Sequence, residues 1–183
     1  MTAIAAITDG TTVWIGGDSA GISGNDLTIR ADEKVFTTGP YAIGFTSSFR
    51  MGQLLRYRLD PPRPPDGGDL MRFMCTDFTD AVRKCLKDGG WAKRENEREE
   101  GGNFIAGVAG RLFEVQSDFQ VSERAGTFTA CGCGEDFALG ALDATEGLGW
   151  EPQKRLLAAL SAAERFSTDV AGPFRIVRTP EAP

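Results

Sequence analysis

The order of strand and helix patterns predicts an α+β fold with two blocks of antiparallel strands, each followed by a pair of helices. Three to five short strand patterns occupy the first 46 residues, two helical patterns follow, and a second block of strands and helices precedes a closing strand. A length of 183 residues with 41% hydrophobic content fits one domain with a full core. We therefore expect a single domain over residues 1–183.

The first strand block begins with a predicted β-hairpin. Apolar residues run through Ala3–Ile7 and resume at Val13 and Ile15, and Asp9-Gly10 between them is a strong hairpin dipeptide. A glycine-rich loop is expected over residues 16–24. Further short strands are expected at Leu27–Arg30, Lys34–Thr37 and Tyr41–Thr46.

The first helical pair begins after these strands, with Ser47 or Ser48 as the predicted N-cap. The first helix is expected over Phe49–Leu59, and the proline-rich loop Asp60–Gly68 ends it. Apolar residues at three- and four-residue steps predict the second helix from Asp69 to Leu86. The charge run that follows, from Lys93 to Gly102, is interpreted as a solvated loop.

The second block repeats the order of strands and then helices. A closing strand and a frayed tail at residues 179–183 are expected at the end. The predicted strands are Asn103–Val108, Arg111–Val115, Phe119–Val121, Phe128–Cys131 and Phe174–Val177, and the predicted helices run from Gly132 to about Gly147 and from Pro152 to Phe166.

Charge and composition exclude several classes of function. The net charge of −6 argues against nucleic acid or an anionic membrane as the main partner. No apolar run approaches the roughly 18 residues of a membrane span, and no secretory signal is recognisable, so a cytoplasmic location is expected. Cys131 and Cys133 are spaced too closely for a usual zinc site, and neither a metal nor another cofactor is expected.

The absence of histidine restricts the possible chemistry most strongly. It excludes Ser-His-Asp and Cys-His catalysis, so a hydrolase would need a carboxylate, a lysine or an α-amine as its base. Thr2 follows Met1, and methionine is readily removed before a small residue. Thr2 would then carry a hydroxyl nucleophile and an α-amine, whose ordinary pKa near 8 lies close to neutral pH.

Several motifs, in order and at matching spacings, resemble those of the proteasome β-subunit superfamily of N-terminal nucleophile (Ntn) hydrolases, most closely its bacterial HslV peptidases. The resemblance spans about Thr2 to Ile176. The motifs are Thr2, Gly17-Asp18, Lys34, the turn Gly44-Phe45-Thr46-Ser47-Ser48, Gly132-Cys133-Gly134 and Phe137-Ala138.

The resemblance implies a four-layer αββα sandwich, with two antiparallel sheets between helical pairs, and a threonine peptidase site. Thr2 would be the nucleophile, Lys34 would keep its amine neutral, Asp18 would orient Lys34, and the backbone N–H of Ser47 would bind the oxyanion. Cys133 stands where the family has a serine that bonds the amine. A further family aspartate is matched ambiguously, since Phe166 lies nearest by pattern, while Asp169 and Ser167 are close. The implied substrate-binding residues are Ser19, Gly21, Ile22, Phe45 and Ser48.

The same resemblance implies a homo-oligomeric ring, as a double ring, that hydrolyses peptides or unfolded proteins supplied by an AAA+ unfoldase ATPase. Two other interpretations stay open from the sequence. One is an Ntn hydrolase of small amides that acts without a ring. The other is a proteasome-like shell subunit whose catalytic site has decayed. A cysteine at position 133, in place of the family's serine, would agree with that interpretation.

Overall fold

The computed structural model describes residues 2–91, 93–95 and 98–180, in which strands and helices follow the predicted order. The strands are β1 Ile4–Thr8, β2 Val13–Gly17, β3 Ala20–Ser23, β4 Asp26–Ile29, β5 Val35–Thr38, β6 Tyr41–Phe45, β7 Lys93–Glu95, β8 Arg98–Glu100, β9 Phe104–Val108, β10 Arg111–Val115, β11 Val121–Glu123, β12 Phe128–Cys131 and β13 Arg175–Arg178. The helices are α1 Phe49–Tyr57, α2 Leu70–Phe73, α3 Thr79–Asp88, α4 Glu135–Ala144 and α5 Pro152–Phe166, and a π-helical segment, Met74–Phe78, joins α2 to α3.

Two antiparallel sheets form the centre of the molecule. One has the strand order β12-β1-β2-β13 and the other β11-β10-β9-β6-β5. The first hairpin pairs Ile4 with Gly17 and Thr8 with Val13, as its alternating pattern predicts. The helices follow the strands in two groups, so the predicted α+β class is confirmed.

The alternation of side chains along β1 shows how the layers stack. Ala5 and Ile7 pack with residues of α4 and α5, whereas Ile4 and Ala6 pack with residues of the second sheet. The other face of that second sheet packs on α1 and α3 through a third cluster, which includes Phe104. The order is therefore helices, sheet, sheet, helices, which confirms the predicted αββα sandwich.

The sheets approach each other closely at Gly44 in β6. A Cβ atom there would lie 2.6 Å from Ile4 Cγ2 and 2.7 Å from Ile15 Cγ2, so a larger residue would push the sheets apart. Because Gly44 precedes the turn after β6, this contact fixes that turn against the first hairpin.

Five local predictions differ from the structure, and three of them concern the bounds of strands and helices. The expected loop at residues 16–24 contains β3, which pairs with β4 through Gly21 and Thr28. The strand predicted at Phe119–Val121 begins at Val121, because Phe119 adopts a left-handed turn conformation with φ of 66°. The second helix is interrupted by the π-helical segment.

The expected solvated loop at Lys93–Gly102 was also wrong, because it contains the hairpin of β7 and β8. The two strands are antiparallel, and residues 96 and 97 between them lie outside the described ones. The register pairs are Lys93 with Glu100, Arg94 with Glu99 and Glu95 with Arg98.

The expected frayed tail does not begin at Thr179. The Thr179 N–H donates to the carbonyl of Val13 at 2.9 Å, and its Oγ1 accepts the Val13 N–H at 3.1 Å. Residues 181–183 of the predicted tail lie outside the described residues. Among the helices described, none has the length and apolar character needed to cross a membrane.

Candidate active site

A buried ion pair connects the end of β2 with the start of β5. Lys34 Nζ donates to Asp18 Oδ1 at 2.8 Å and to Oδ2 at 2.9 Å, and the side chains are 1% and 0% exposed. Burial lowers the pKa of Lys34 below its ordinary value, while the negative charge of Asp18 and its hydrogen bonds oppose that shift. Asp18 therefore favours the charged form of a lysine that burial alone would neutralise.

Asp18 also fixes the backbone on both sides of the pair. Its Oδ1 accepts the Ala3 N–H at 3.0 Å, and its Oδ2 accepts the Ala20 N–H at 2.9 Å. Ala3 follows Thr2, and Ala20 begins β3. One carboxylate thus positions the start of the chain, the ammonium group and the neighbouring strand.

Thr2 is buried and its carbonyl is enclosed by the segment that precedes α4. The Gly134 N–H donates to the Thr2 carbonyl oxygen at 3.2 Å. Gly132 has a φ of 102°, and a Cβ atom there would lie 2.3 Å from the same oxygen, so only glycine fits. Segment 132–134 therefore holds Thr2 against β1 and β2.

An open cavity of about 120 Å³ lies beside Thr2. Ile22, Phe45 and Phe49 supply apolar side chains to its wall, and Phe45 packs edge-on against Phe49 with ring centroids 6.0 Å apart. The residues that line the cavity are Thr2, Ile22, Lys34, Phe45, Thr46, Ser47, Ser48 and Phe49. A threonine, a buried lysine and an apolar wall therefore border one small volume.

The turn between β6 and α1 borders this cavity through Thr46, Ser47 and Ser48. Ser47 has a left-handed φ of 68°, Thr46 N–H donates to the Asn103 carbonyl, and Ser48 N–H donates to the Thr46 carbonyl. Among the described residues, none accepts a hydrogen bond from the Ser47 N–H. Ser48 caps α1, because its Oγ accepts the Arg50 N–H at 3.1 Å.

The structure brings most of the predicted site residues together. Thr2, Lys34, Ile22, Phe45, Ser47 and Ser48 line the cavity, and Asp18 lies behind Lys34. Cys133 is exposed and lies between Gly132 and Gly134, which both contact the Thr2 carbonyl oxygen, and this places it near the site.

Besides Asp18 and Cys133, three predicted residues do not line the cavity. Ser19 Oγ donates to the Pro173 carbonyl at 2.6 Å, and Gly21 pairs with Thr28 in the hairpin of β3 and β4. Asp169 is half-buried, and its backbone N–H donates to Ser167 Oγ at 3.3 Å. The structure therefore gives these three residues no position on the cavity wall.

Sequence reasoning missed three residues at the site. Phe49 and Thr46 line the cavity, and their position beside the predicted turn was a usable signal. Asn103, which immediately precedes β9, forms hydrogen bonds with Thr46 and Ser47 in that turn, and no local sequence pattern predicts this contact. No group of three or more side chains suited to holding a metal ion occurs in the described ranges.

Similar solved structures share the complete architecture. Neither a protein-family model nor a curated protein matches the sequence. The BPH protein of Thiobacillus denitrificans in complex with epoxomicin is 20% identical, with full coverage of both chains and a TM-score of 0.79. Eukaryotic HslV from Trypanosoma brucei is 19% identical over 97% of this chain and 98% of that one, with a TM-score of 0.69.

Anbu, an ancestral β-subunit from Yersinia bercovieri, is 15% identical over 98% of this chain and 82% of its own, with a TM-score of 0.66. At these identities the likeness shows the fold. It confirms that the chain has the fold of the proteasome β-subunit superfamily of Ntn hydrolases.

Proposed function

We propose that this chain is an N-terminal-threonine endopeptidase subunit, with Thr2 as the nucleophile after removal of Met1. The observation that carries the proposal is that Thr2, Lys34 and Ser47 line the same cavity. These residues supply a hydroxyl, a cation and an unused backbone donor, which are the groups that hydrolysis of an amide bond requires.

The proposed reaction proceeds through an ester of Thr2. Thr2 Oγ forms a bond to the scissile carbonyl carbon while its proton moves to the α-amine. The Ser47 N–H binds the developing oxyanion, a contribution worth about 10²- to 10³-fold in rate in other hydrolases. The C–N bond then breaks, and the leaving amine takes the proton.

Water completes the cycle by attacking the ester. The α-amine accepts a proton from this water and returns it to Thr2 Oγ, which leaves the free acid and the original enzyme. The Lys34 ammonium, held by Asp18, disfavours protonation of the α-amine and so keeps it available as a base.

The proposed substrate is an extended peptide with an apolar side chain before the scissile bond. Ile22, Phe45 and Phe49 supply the apolar wall of the cavity. β3, which contains Ile22, pairs with β4 on one side within the described residues, so its other edge is suited to pairing with a peptide strand.

The proposed assembly is a homo-oligomeric double ring in the cytoplasm, served by an AAA+ unfoldase. The similarity of the fold to HslV and Anbu structures supports this proposal. Exposed apolar side chains also support it, since Leu27 and Ile29 on β4 are 54% and 50% exposed and Phe166 on α5 is 65% exposed. Light scattering and negative-stain images should show a ring, and a monomer at micromolar concentration would refute the assembly.

Intact mass and a peptide assay test the catalytic proposal. We expect protein made in cells to lack Met1, to form a covalent adduct with epoxomicin, and to cleave a fluorogenic peptide with an apolar residue before the bond. Thr2→Ala should abolish adduct and cleavage, whereas Thr127→Ala, which changes an exposed threonine immediately before β12, should retain both.

Retained Met1, or cleavage that Thr2→Ala does not reduce, would refute the threonine mechanism. Hydrolysis of small amides without cleavage of peptides, by a protein that forms no ring, would instead establish the alternative Ntn hydrolase. A ring with no Thr2-dependent adduct or turnover would identify a decayed shell subunit.

A further inference from the structure

Asn103 holds the turn that presents the Ser47 N–H through two hydrogen bonds. Its carbonyl accepts the Thr46 N–H at 3.0 Å, and its own N–H donates to Ser47 Oγ at 3.0 Å. Both contacts use the backbone of Asn103, which immediately precedes β9. A strand of the second sheet thus connects directly to the wall of the cavity.

The second of these bonds compensates for an unfavourable backbone conformation. Ser47 has a φ of 68°, a region in which residues with a Cβ atom are disfavoured and glycine is the usual choice. Any side chain at this position incurs the steric cost, but only one with an acceptor can receive the Asn103 N–H. The hydroxyl group therefore has a structural reason to be present at this turn.

Gly102 allows this close contact. A Cβ atom at Gly102 would lie 2.6 Å from Met51 Sδ, 3.1 Å from Ser47 Cβ and 3.2 Å from Ser47 Oγ. The Met51 side chain can move, but a displaced Ser47 would lose its bond to Asn103. The segment Gly102-Asn103 consequently packs directly against the turn with no room for a side chain on its first residue.

We infer that Gly102, Asn103 and the Ser47 hydroxyl are positioning groups that hold the Ser47 N–H towards the cavity. This inference rests on the proposed function, in which that N–H binds the oxyanion. The hydroxyl takes no part in the chemistry itself. Its hydrogen bond to the Asn103 N–H stabilises a left-handed conformation that glycine would adopt without steric cost.

Two substitutions of Ser47 separate positioning from chemistry, because both remove the hydroxyl but only one removes the steric cost. We expect Ser47→Ala to lower kcat about tenfold, since the alanine keeps the disfavoured conformation and lacks the bond. Ser47→Gly should lower kcat only about threefold, and KM should change little in either variant. Equal losses in the two variants, or no loss in Ser47→Ala, would overturn the inference.

Gly102→Ala tests the same contact from the other side. We expect a fall in kcat similar to that of Ser47→Ala. Gly126→Ala is the matched control, because Gly126 has no heavy atom within 4 Å of an added Cβ, and its kcat should equal that of the unmodified protein.

Amide hydrogen exchange measured by NMR tests the inference without any assay of activity. The Asn103 amide should exchange at least several-fold faster in both Ser47 variants, because each lacks its acceptor, and at the unmodified rate in Gly126→Ala. Unchanged exchange in Ser47→Ala would overturn the inference. If the unmodified protein shows no Thr2-dependent turnover, the proposed function fails, and the exchange result alone then decides whether Asn103 holds Ser47.

Discussion

Replacing Asp18 with asparagine should destabilise the protein strongly, because the change leaves a buried ammonium group without its counter-ion. Lys34 Nζ makes two hydrogen bonds to Asp18, at 2.8 and 2.9 Å, and its side chain is 1% exposed. Removing one partner of such a pair typically costs about 3–5 kcal/mol. We expect a loss of that size in the free energy of unfolding of Asp18→Asn.

The reverse substitution should cost less, and the difference follows from the remaining partners. In Lys34→Met the Asp18 carboxylate keeps the N–H groups of Ala3 and Ala20 at 3.0 and 2.9 Å, so the buried charge stays hydrogen-bonded. In Asp18→Asn the ammonium group loses its counter-charge and one of its two acceptors, because the amide nitrogen that replaces one oxygen cannot accept a hydrogen bond. We therefore expect Lys34→Met to be less destabilising than Asp18→Asn by at least about 1 kcal/mol.

The double variant completes the cycle. Asp18→Asn with Lys34→Met contains no buried charge at this position, so it should be no less stable than Asp18→Asn alone. Urea unfolding at pH 7, followed by circular dichroism at several protein concentrations, measures the four free energies of unfolding. Additive losses, or a loss below about 1 kcal/mol in Asp18→Asn, would refute the assignment of a tightly coupled pair.

Three further predictions concern charge, thiols and helix stability. Burial lowers the pKa of Lys34 below 10.5, so the native state binds fewer protons at this lysine than the unfolded state does. The free energy of unfolding of the unmodified protein, relative to that of Lys34→Met, should therefore increase as pH rises towards 10.5. Urea titrations at several pH values measure this difference, and a decrease would contradict the prediction. Iodoacetamide should alkylate the exposed Cys133 before Cys85 and Cys131, because burial raises the pKa values of those two thiols. Peptide mass spectrometry measures the rate of labelling at each cysteine, and equal rates at all three would contradict the prediction. Gly140→Ala should raise the free energy of unfolding by about 0.5–1 kcal/mol, because alanine favours the helix more than glycine does. Gly140 is exposed in α4, and an added Cβ would have no heavy atom within 4 Å. A lower free energy of unfolding in urea would contradict the prediction.

Local patterns were sufficient for the elements that carry regular alternation or helical spacing. β1 and β2 follow from alternating apolar residues around Asp9-Gly10, and α5 follows from its apolar residues at three- and four-residue steps. Thr2, Asp18 and Lys34 were found through their spacing in a known motif. The structure adds the contacts between these residues. Asp18 forms an ion pair with Lys34 and accepts a hydrogen bond from the N–H of Ala3, the residue after Thr2.

Contacts between distant segments could not be predicted from the sequence. The hairpin of β7 and β8 was missed because a run of charged residues is typical of a solvated loop, whereas the backbone of this run forms an antiparallel pair. Asn103 was missed because its two bonds to Thr46 and Ser47 cross more than fifty residues and use backbone atoms, which any residue type supplies. β3 was hidden by glycines and serines that are also typical of loops.

The same carboxylate serves the fold and the proposed chemistry, which determines how the site can vary. Asp18 bonds to Ala3 beside the nucleophile, to the Lys34 ammonium and to Ala20 at the start of the strand suited to binding peptide. A change at Asp18 therefore displaces three functional groups together, and no single compensating substitution can restore them. Cys133 is exposed and takes no part in these hydrogen bonds of Asp18, so a substitution there should leave the buried framework intact.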